Sequence, residues 1–314
     1  MIDPLAEIVM LLQPSALFSK TVVGAGPWHI TPPDTRQPFY GVILEGGCRL
    51  AVDEREPIHC EAGDFVLVPS AHHLEVASRE PPAEGGESPL VALGNGEFRV
   101  GAQSGPIDLR MLIGYCSFAS PDADLLVPLL PQIVHVRSAG RLAQLVKLVG
   151  DESHAQRPAR EVVLSRLLEV LFIEALRSTA EATTSQGLAR GLADLRVARA
   201  IRAMHERPSH AWTMVDLAKE AALSRSSFFE RFKLKVGVAP MAYLLAWRMA
   251  LAKQMLRQNE SPIAEIAERV GYRSVSAFSV AFARCAGQSP AHYARASRCA
   301  TAAPPGPLPM TMAS

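Results

Sequence analysis

Apolar positions fall into three regimes along the chain. From about residue 15 to 120, short apolar runs recur as Gly41-Val-Ile-Leu, Arg49-Leu-Ala-Val and Phe65-Val-Leu-Val. They are separated by Glu45-Gly46-Gly47 and Glu61-Ala-Gly63-Asp64. Such runs, closed by turn residues, predict an antiparallel all-β unit. Arg79 to Gly105, with Pro81-Pro82 and Gly85-Gly86, predicts a long loop around one short strand. From about 139 to 180 the period becomes helical. Leu142, Leu145, Val146 and Val149 share one face, and Val163, Leu164, Leu167, Leu168, Leu171 and Phe172 another, giving two helices joined near Arg157-Pro158. Ser178 to Gly191 reads as a linker, Leu192 to Tyr293 as helical throughout, and the Pro-rich end after Arg298 as disordered. The expected fold is α+β multidomain. Residues 1–185 form an antiparallel β-barrel unit with two helices, 190–298 an all-α domain, and 299–314 a tail.

The all-α third repeats itself. Leu217-Ala218 returns as Ile266-Ala267 at an offset of 49. Ser224, Phe228, Phe232, Gly237, Pro240 and Tyr243 return as Ser274, Phe278, Phe282, Gly287, Pro290 and Tyr293 at an offset of 50. The change of offset falls where a turn can absorb it. In the first copy Thr213 can cap a helix carrying Val215, Leu217, Ala218 and Ala221, and Ser224 a second. In the second copy Pro262 suits a first helical position, Gly271 ends that helix, and Ser274 can cap the next. Each copy is therefore a helix-turn-helix. The paired phenylalanines anchor each second helix and leave its other face free. Pro240 to Gln258 reads as one long helix that holds the copies apart; two readers on one DNA face need a separation of about 34–36 Å.

Charge sharpens this picture. Residues 1–189 hold 14 Lys+Arg against 23 Asp+Glu, while residues 190–300 hold 18 against 8. A basic third on an acidic remainder points to a polyanionic partner for that third. Of the whole chain 48% is hydrophobic and 20% charged, as in a globular protein. No apolar run reaches the roughly 18 residues a membrane helix needs, and Met1 to Met10 carries no basic residue, so a cytoplasmic protein with no membrane partner is expected. The five cysteines are scattered with no C-x-x-C pair and read as isolated free thiols. No nucleophile elbow, zincin or phosphate-loop pattern occurs, so no enzyme and no cofactor are expected.

The free face of the first reading helix carries Arg225, Ser226, Phe229, Glu230 and Lys233; that of the second carries Val275, Ser276, Ser279 and Val280, with Ala283 beside them. Arg225 and Lys233 suit phosphates. Glu230 can accept from a cytosine amine or stay solvated, and Val280 can meet a thymine methyl. The run from Asp216-Leu-Ala-Lys through Phe228-Phe-Glu-Arg-Phe-Lys, with Val236-Gly-Val-Ala-Pro, Trp247-Arg-Met, Ile263-Ala-Glu-Ile-Ala-Glu-Arg-Val-Gly-Tyr, Ser276-Ala-Phe-Ser and Gly287-Gln-Ser-Pro-Ala-His-Tyr, resembles the AraC/XylS transcription regulators. The resemblance implies a double helix-turn-helix that binds double-stranded DNA. Val280 and Ala283 depart from it, standing where basic residues are common.

Gly26-Pro-Trp-His29, Phe39 to Gly47, Gly63-Asp64 to Pro69 with His72-His73, and His135-Val-Arg137 resemble the cupin-type ligand domain of one branch of that family. This implies a barrel whose mouth takes a small-molecule effector, with His29, Tyr40 and His73 as candidate ligand residues. It also implies a homodimer through the helices at 139–180 and a transcription regulator, activator or repressor, with RNA polymerase a candidate partner. The alternative is a metal-dependent cupin enzyme with a DNA-binding appendage. Its metal would need His29, His73 and Glu45, and the tight H-x-H of metal cupins is missing.

Overall fold

A computed structural model describes residues 3–32, 37–82, 86–118, 120, 123–155, 157–179, 186–258 and 261–302, the last five as backbone. The N-terminal half is a curled sheet of β1 (Pro14–Ala25), β2 (His29–Ile30), β3 (Phe39–Val52), β4 (Ile58–Glu61), β5 (Phe65–Val68), β6 (Leu74–Ser78), β7 (Leu90–Gly94), β8 (Glu97–Gly101), β9 (Leu109–Phe118) and β10 (Val134–Val136). The strand order is β10-β5-β3-β9-β1-β8-β7, with β4 and β6 also on β3 and β2 on β6. This is a cupin-like half-barrel.

The spine of the half-barrel is β3. Its first part pairs with β5 and β9 and its second with β4 and β6, so one strand enters both walls. Glu45-Gly46-Gly47 is accordingly a bend inside one strand, not a turn between two, and pairing with β9 shifts register between Ile43 and Glu45. Gly46 has φ +74°, and a Cβ there would stand 1.8 Å from the Asp108 carbonyl oxygen, so only glycine fits. The loop expected over 79–105 holds a hairpin instead of one strand. It joins β7 to β8 through Gly94-Asn95-Gly96, with Asn95 at φ +49°; residues 83–85 lie outside the described residues. β8 also runs parallel to β1, so the sheet is not wholly antiparallel.

Alternate residues of β3 and β5 face opposite ways. Phe39, Ile43, Val66 and Val68 fill the barrel interior with Trp28, Leu50, Val76 and Met111. Tyr40, Val42, Phe65 and Leu67 face outward. Burial on both faces explains why these strands read as unbroken apolar runs. The outward face is covered by α1 (Pro4–Leu12), α3 (Gly140–His154) and α4 (Arg160–Ser178). The expected pair of helices at 139–180 is present. α1 was missed, although Asp3 before Pro4 is a start signal: Asp3 Oδ1 accepts from Leu5 N at 3.0 Å.

The remaining helices are α2 (Ala123–Leu126), α5 (Leu188–Ala193), α6 (Leu195–Glu206), α7 (Met214–Glu220), α8 (Arg225–Val236), α9 (Pro240–Gln258), α10 (Ile263–Arg269), α11 (Val275–Ala286) and α12 (Pro290–Ala302). Part of the expected linker is thus helix α5, with Leu188 and Ala189 buried. Gly191 lets α5 meet α8, since a Cβ there would stand 2.7 Å from Val236 Cγ2; linker residues 180–185 lie outside the described residues. α12 runs four residues past Arg298, into the stretch expected to be disordered, and 303–314 lie outside the described residues.

Val197, Ile201 and Met204 of α6, and Leu217, Phe228, Phe232, Tyr243 and Trp247 of the first helix-turn-helix, belong to the same apolar cluster as the helical layer on the sheet. The second copy has its own core of Met249, Leu256, Ile266, Phe278, Phe282 and Tyr293. α9 contributes to both. Among the described residues no single helix is long and apolar enough to cross a membrane.

Candidate nucleic-acid interface

Each helix-turn-helix is fixed by local hydrogen bonds. Thr213 and Asp216 form a capping box on α7: Thr213 Oγ1 accepts from Asp216 N and Asp216 Oδ2 from Thr213 N, both at 3.2 Å. The Thr213 hydroxyl, which donates to Asp216 Oδ2 at 2.6 Å, and then the Thr213 N–H hold the Asp216 carboxyl below its ordinary range. Ser224 Oγ accepts from Ser227 N at 3.2 Å, and Ser274 Oγ from Ala277 N at 3.2 Å, as the repeat predicts. Pro262 sits at the cap position of α10, one residue earlier than expected, and has no side-chain hydrogen bond.

The turn bonds locate the change of offset. Leu223 N donates to Ala218 O at 2.9 Å, and Tyr272 N to Ala267 O at 2.8 Å, still 49 apart. The caps Ser224 and Ser274 are 50 apart, so the extra residue is Arg273. The left-handed position of the turn is Ala222 (φ +50°) in the first copy and Gly271 (φ +83°) in the second. The aromatic anchors also repeat. Ring centroids are 5.6 Å apart in both Phe228–Phe232 and Phe278–Phe282, and 5.7 and 5.5 Å apart in Phe232–Tyr243 and Phe282–Tyr293.

With these rings buried, Arg225, Ser226, Glu230 and Lys233 are exposed on α8 and Phe229 is half-buried. On α11, Val275, Ser276 and Val280 are exposed and Ser279 is half-buried. Ser226, Glu230 and Lys233 on α8 and Ser276 and Val280 on α11 point away from the phenylalanines, whereas Arg225 and Val275, three residues before Phe228 and Phe278, stand exposed at the N-terminal end of the core stripe. Sequence reasoning missed exposed Arg273 just before Ser274; its signal was the change of offset. Among the described residues Arg225, Lys233 and Arg273 make no ion pair. Arg231, by contrast, is 2.7 Å from Asp194, the cap of α6. Burial works to raise the Asp194 carboxyl, but the Val197 N–H and Arg231 outweigh it and hold it below its ordinary value.

Arg248 on α9 links the copies. Its Nε donates to Pro208 O at 2.9 Å and its Nη2 to His210 O at 2.6 Å. A Cβ on Gly271 would stand 2.4 Å from the same Nη2. The guanidinium is thus wedged between the segment leading into α7 and the turn of the second copy.

A cavity of about 310 Å³ opens inside the half-barrel, walled by Phe39, Val76, Met111, Ile113 and Tyr115, with Lys20 at its edge. Burial pulls the Lys20 ammonium down, and it lies 5.1 Å from the Phe98 ring centroid. Of the expected ligand residues none lines this cavity. Tyr40 faces the opposite side of β3 with its Oη buried and unpartnered, because side chains alternate along a strand. His29 Nε2 and His73 Nε2 instead meet one carboxylate, Glu75, at 3.5 and 2.7 Å. The His73 hydrogen bond holds Glu75 below its ordinary value. His72 and His73 precede β6 and are not on a strand; both backbone N–H groups donate to Asp53 Oδ1. Glu45 lies 3.9 Å from Arg110, so His29, His73 and Glu45 do not converge. Among the described residues no three His, Cys, Asp or Glu side chains are placed to hold a metal. Cys48 and Cys60 are directly opposite on the neighbouring strands β3 and β4 and both are free.

A cupin-like half-barrel joined to two capped helix-turn-helix copies defines a regulator of the double helix-turn-helix class. A family described as Cupin matches residues 3–181 and one described as Helix-turn-helix domain matches residues 217–296. A protein of Streptomyces antibioticus named as an AraC-like transcription regulator is 34% identical over 93% of this chain and 98% of its own. RclR of Escherichia coli K12, named an RCS-specific transcriptional activator, is 27% identical over 93% of this chain and 96% of its own. Among solved structures, the DNA-binding domain of AdpA in complex with a target DNA is 32% identical, covers 33% of this chain and 93% of that one, and has a TM-score of 0.32. The chain belongs to the AraC-like transcription regulators, with a cupin N-terminal domain and a DNA-binding C-terminal domain.

Proposed function

We propose that residues 190–298 read a two-part DNA site, with α8 and α11 in successive major grooves, and that residues 1–185 sense a small effector and pair two copies. The carrying observation is the duplicated frame: two helices, each capped by serine, anchored by a phenylalanine pair and exposed on the opposite face. In this reading Arg225, Lys233 and Arg273 bind phosphates. Ser226, Phe229 and Glu230 face bases from α8, and Val275, Ser276, Ser279 and Val280 face them from α11, where readout is apolar for want of donors.

The effector enters the half-barrel cavity, whose apolar wall and Lys20 suit an apolar molecule with one acceptor or anionic end. The homodimer forms on α3 and α4, where Leu148, Val162, Val163 and Val170 are exposed. Ligand and DNA are then linked through relative populations of two states. The protein acts in the cytoplasm as a transcription regulator and carries no catalytic activity. Footprinting of the full chain on fragments of its own genome, at two salt concentrations, tests this. Protected sites that survive competitor DNA are expected; binding without site preference at either salt overturns the reading.

A further inference from the structure

A second hollow lies where the two halves meet. It is a groove of about 750 Å³ walled by α1, α4 and α9. Its apolar wall includes Met10, Leu11, Val162, Trp247 and Leu251. Met10 and Val162 are 59% and 62% exposed, so apolar surface is left open at the rim.

The charges on this wall do not balance. Arg166 Nη1 lies 3.0 and 2.7 Å from the two oxygens of Glu169 and is engaged there. Glu161 stands at the open edge, 3.7 Å from Arg160. Glu7 is different. Its partner is His205, whose Nδ1 lies 2.6 Å from Glu7 Oε2. His205 is buried, and burial disfavours its charged form, so the imidazole donates a hydrogen bond without neutralising the carboxylate. Among the described residues Glu7 Oε1 has no partner. A half-buried carboxylate is left facing a groove of mixed polar and apolar lining, paired only to this imidazole. Trp247, almost wholly buried on the same wall, has an indole Nε1 with no hydrogen-bond acceptor. The Glu7 carboxylate is open to the groove, and a cationic ligand there would pair with it.

We propose that this groove binds a small organic cation with an apolar body, its charge on Glu7 and its body against Met10 and Leu251. The size is that of a drug-like ligand site. Because the walls come from the sensor half (α1, α4) and from the helix joining the two readers (α9), the bound cation stabilises the arrangement in which they touch. This last step rests on the regulator reading above.

Tetraphenylphosphonium and tetraphenylborate share size and apolar surface and differ in the sign of charge. Equilibrium dialysis of the full chain should give saturable one-site binding of the phosphonium, about tenfold or more tighter than the borate. Glu7→Gln keeps the acceptor for His205 and removes the charge; it should weaken phosphonium binding about tenfold. Met10→Lys, at an exposed rim position outside the α3–α4 face, should weaken it too without touching the core. No saturable phosphonium binding, equal binding of the borate, or no change in both variants overturns the site. Unaltered footprint titrations at saturating phosphonium overturn the coupling. Dialysis needs no DNA, so loss of the site leaves the regulator reading standing. Absence of any footprint with phosphonium binding intact overturns that reading instead.

Discussion

His205 Nδ1 lies 2.6 Å from Glu7 Oε2, joining residues 198 apart in sequence across the boundary between the two halves. The other ring nitrogen, Nε2, lies 2.7 Å from Tyr243 Oη, and the ring stacks on Trp247 with centroids 4.0 Å apart. One buried imidazole thus ties the first helix of the chain to the core of the first DNA reader. Glu7→Ala removes the acceptor of a buried N–H and should cost about 1–3 kcal/mol of stability, with Glu7→Gln costing less, read by urea unfolding.

The same imidazole gives stability a pH dependence. Burial depresses the folded-state value of His205 below its ordinary one, so below the ordinary value the unfolded chain binds more protons. This contribution is fully present above the ordinary histidine value. It is lost as pH falls from there toward the depressed value. His205→Asn should flatten the slope of unfolding free energy between pH 7 and 5; an unchanged slope would exclude this source.

Two positions share one backbone conformation with different residues. Gly271→Ala forces a Cβ into the left-handed region and against Arg248, and should destabilise by about 1–2 kcal/mol or more. Ala222→Gly relieves the equivalent strain and should stabilise by about 0.5–1 kcal/mol. Thermal unfolding of the two variants should move in opposite directions.

Arg248 touches backbone of the first copy and crowds the turn of the second, and faces no DNA in the reading above. Arg248→Ala should leave each copy folded but loosen their mutual setting. Affinity for a site with both half-sites should then fall, while affinity for a site with the first half-site alone should change little. An equal loss on both sites would place Arg248 at the DNA.

The reading helices give separable effects. Arg225→Ala and Arg273→Ala should weaken binding on all sequences and reduce the salt slope by about one each. Glu230→Gln should alter base preference at one position, seen in a selection from randomised sites. A uniform loss for Glu230→Gln would remove it from base readout.

The DNA-binding third was legible because its repeat writes every structural device twice: Ser224 and Ser274 cap, Phe228 and Phe278 anchor, Gly237 and Gly287 terminate. The unit change of offset marked Arg273, but periodicity does not reveal what an inserted residue is for. The half-barrel was legible as a class and not in its details. Glu45-Gly46-Gly47 has turn composition, yet the contact with Asp108, which is remote in sequence, makes it a bend in β3. Asn95-Gly96 is a hairpin signal masked by the Pro and Gly around it. Tyr40 was expected in the cavity; which side of a strand faces inward depends on what packs outside, here α1, α3 and α4.

The first DNA reader shares its apolar core with the helical layer of the sensor half, whereas the second is packed around its own, touched from the sensor half by Leu125 of α2. Their bridge, α9, is a continuous 19-residue rod. Mechanically the molecule is then an anvil and an arm. In the proposed function, tolerance in the distance or phase between half-sites resides in the arm, and an effector acts on DNA binding through the contacts between anvil and arm.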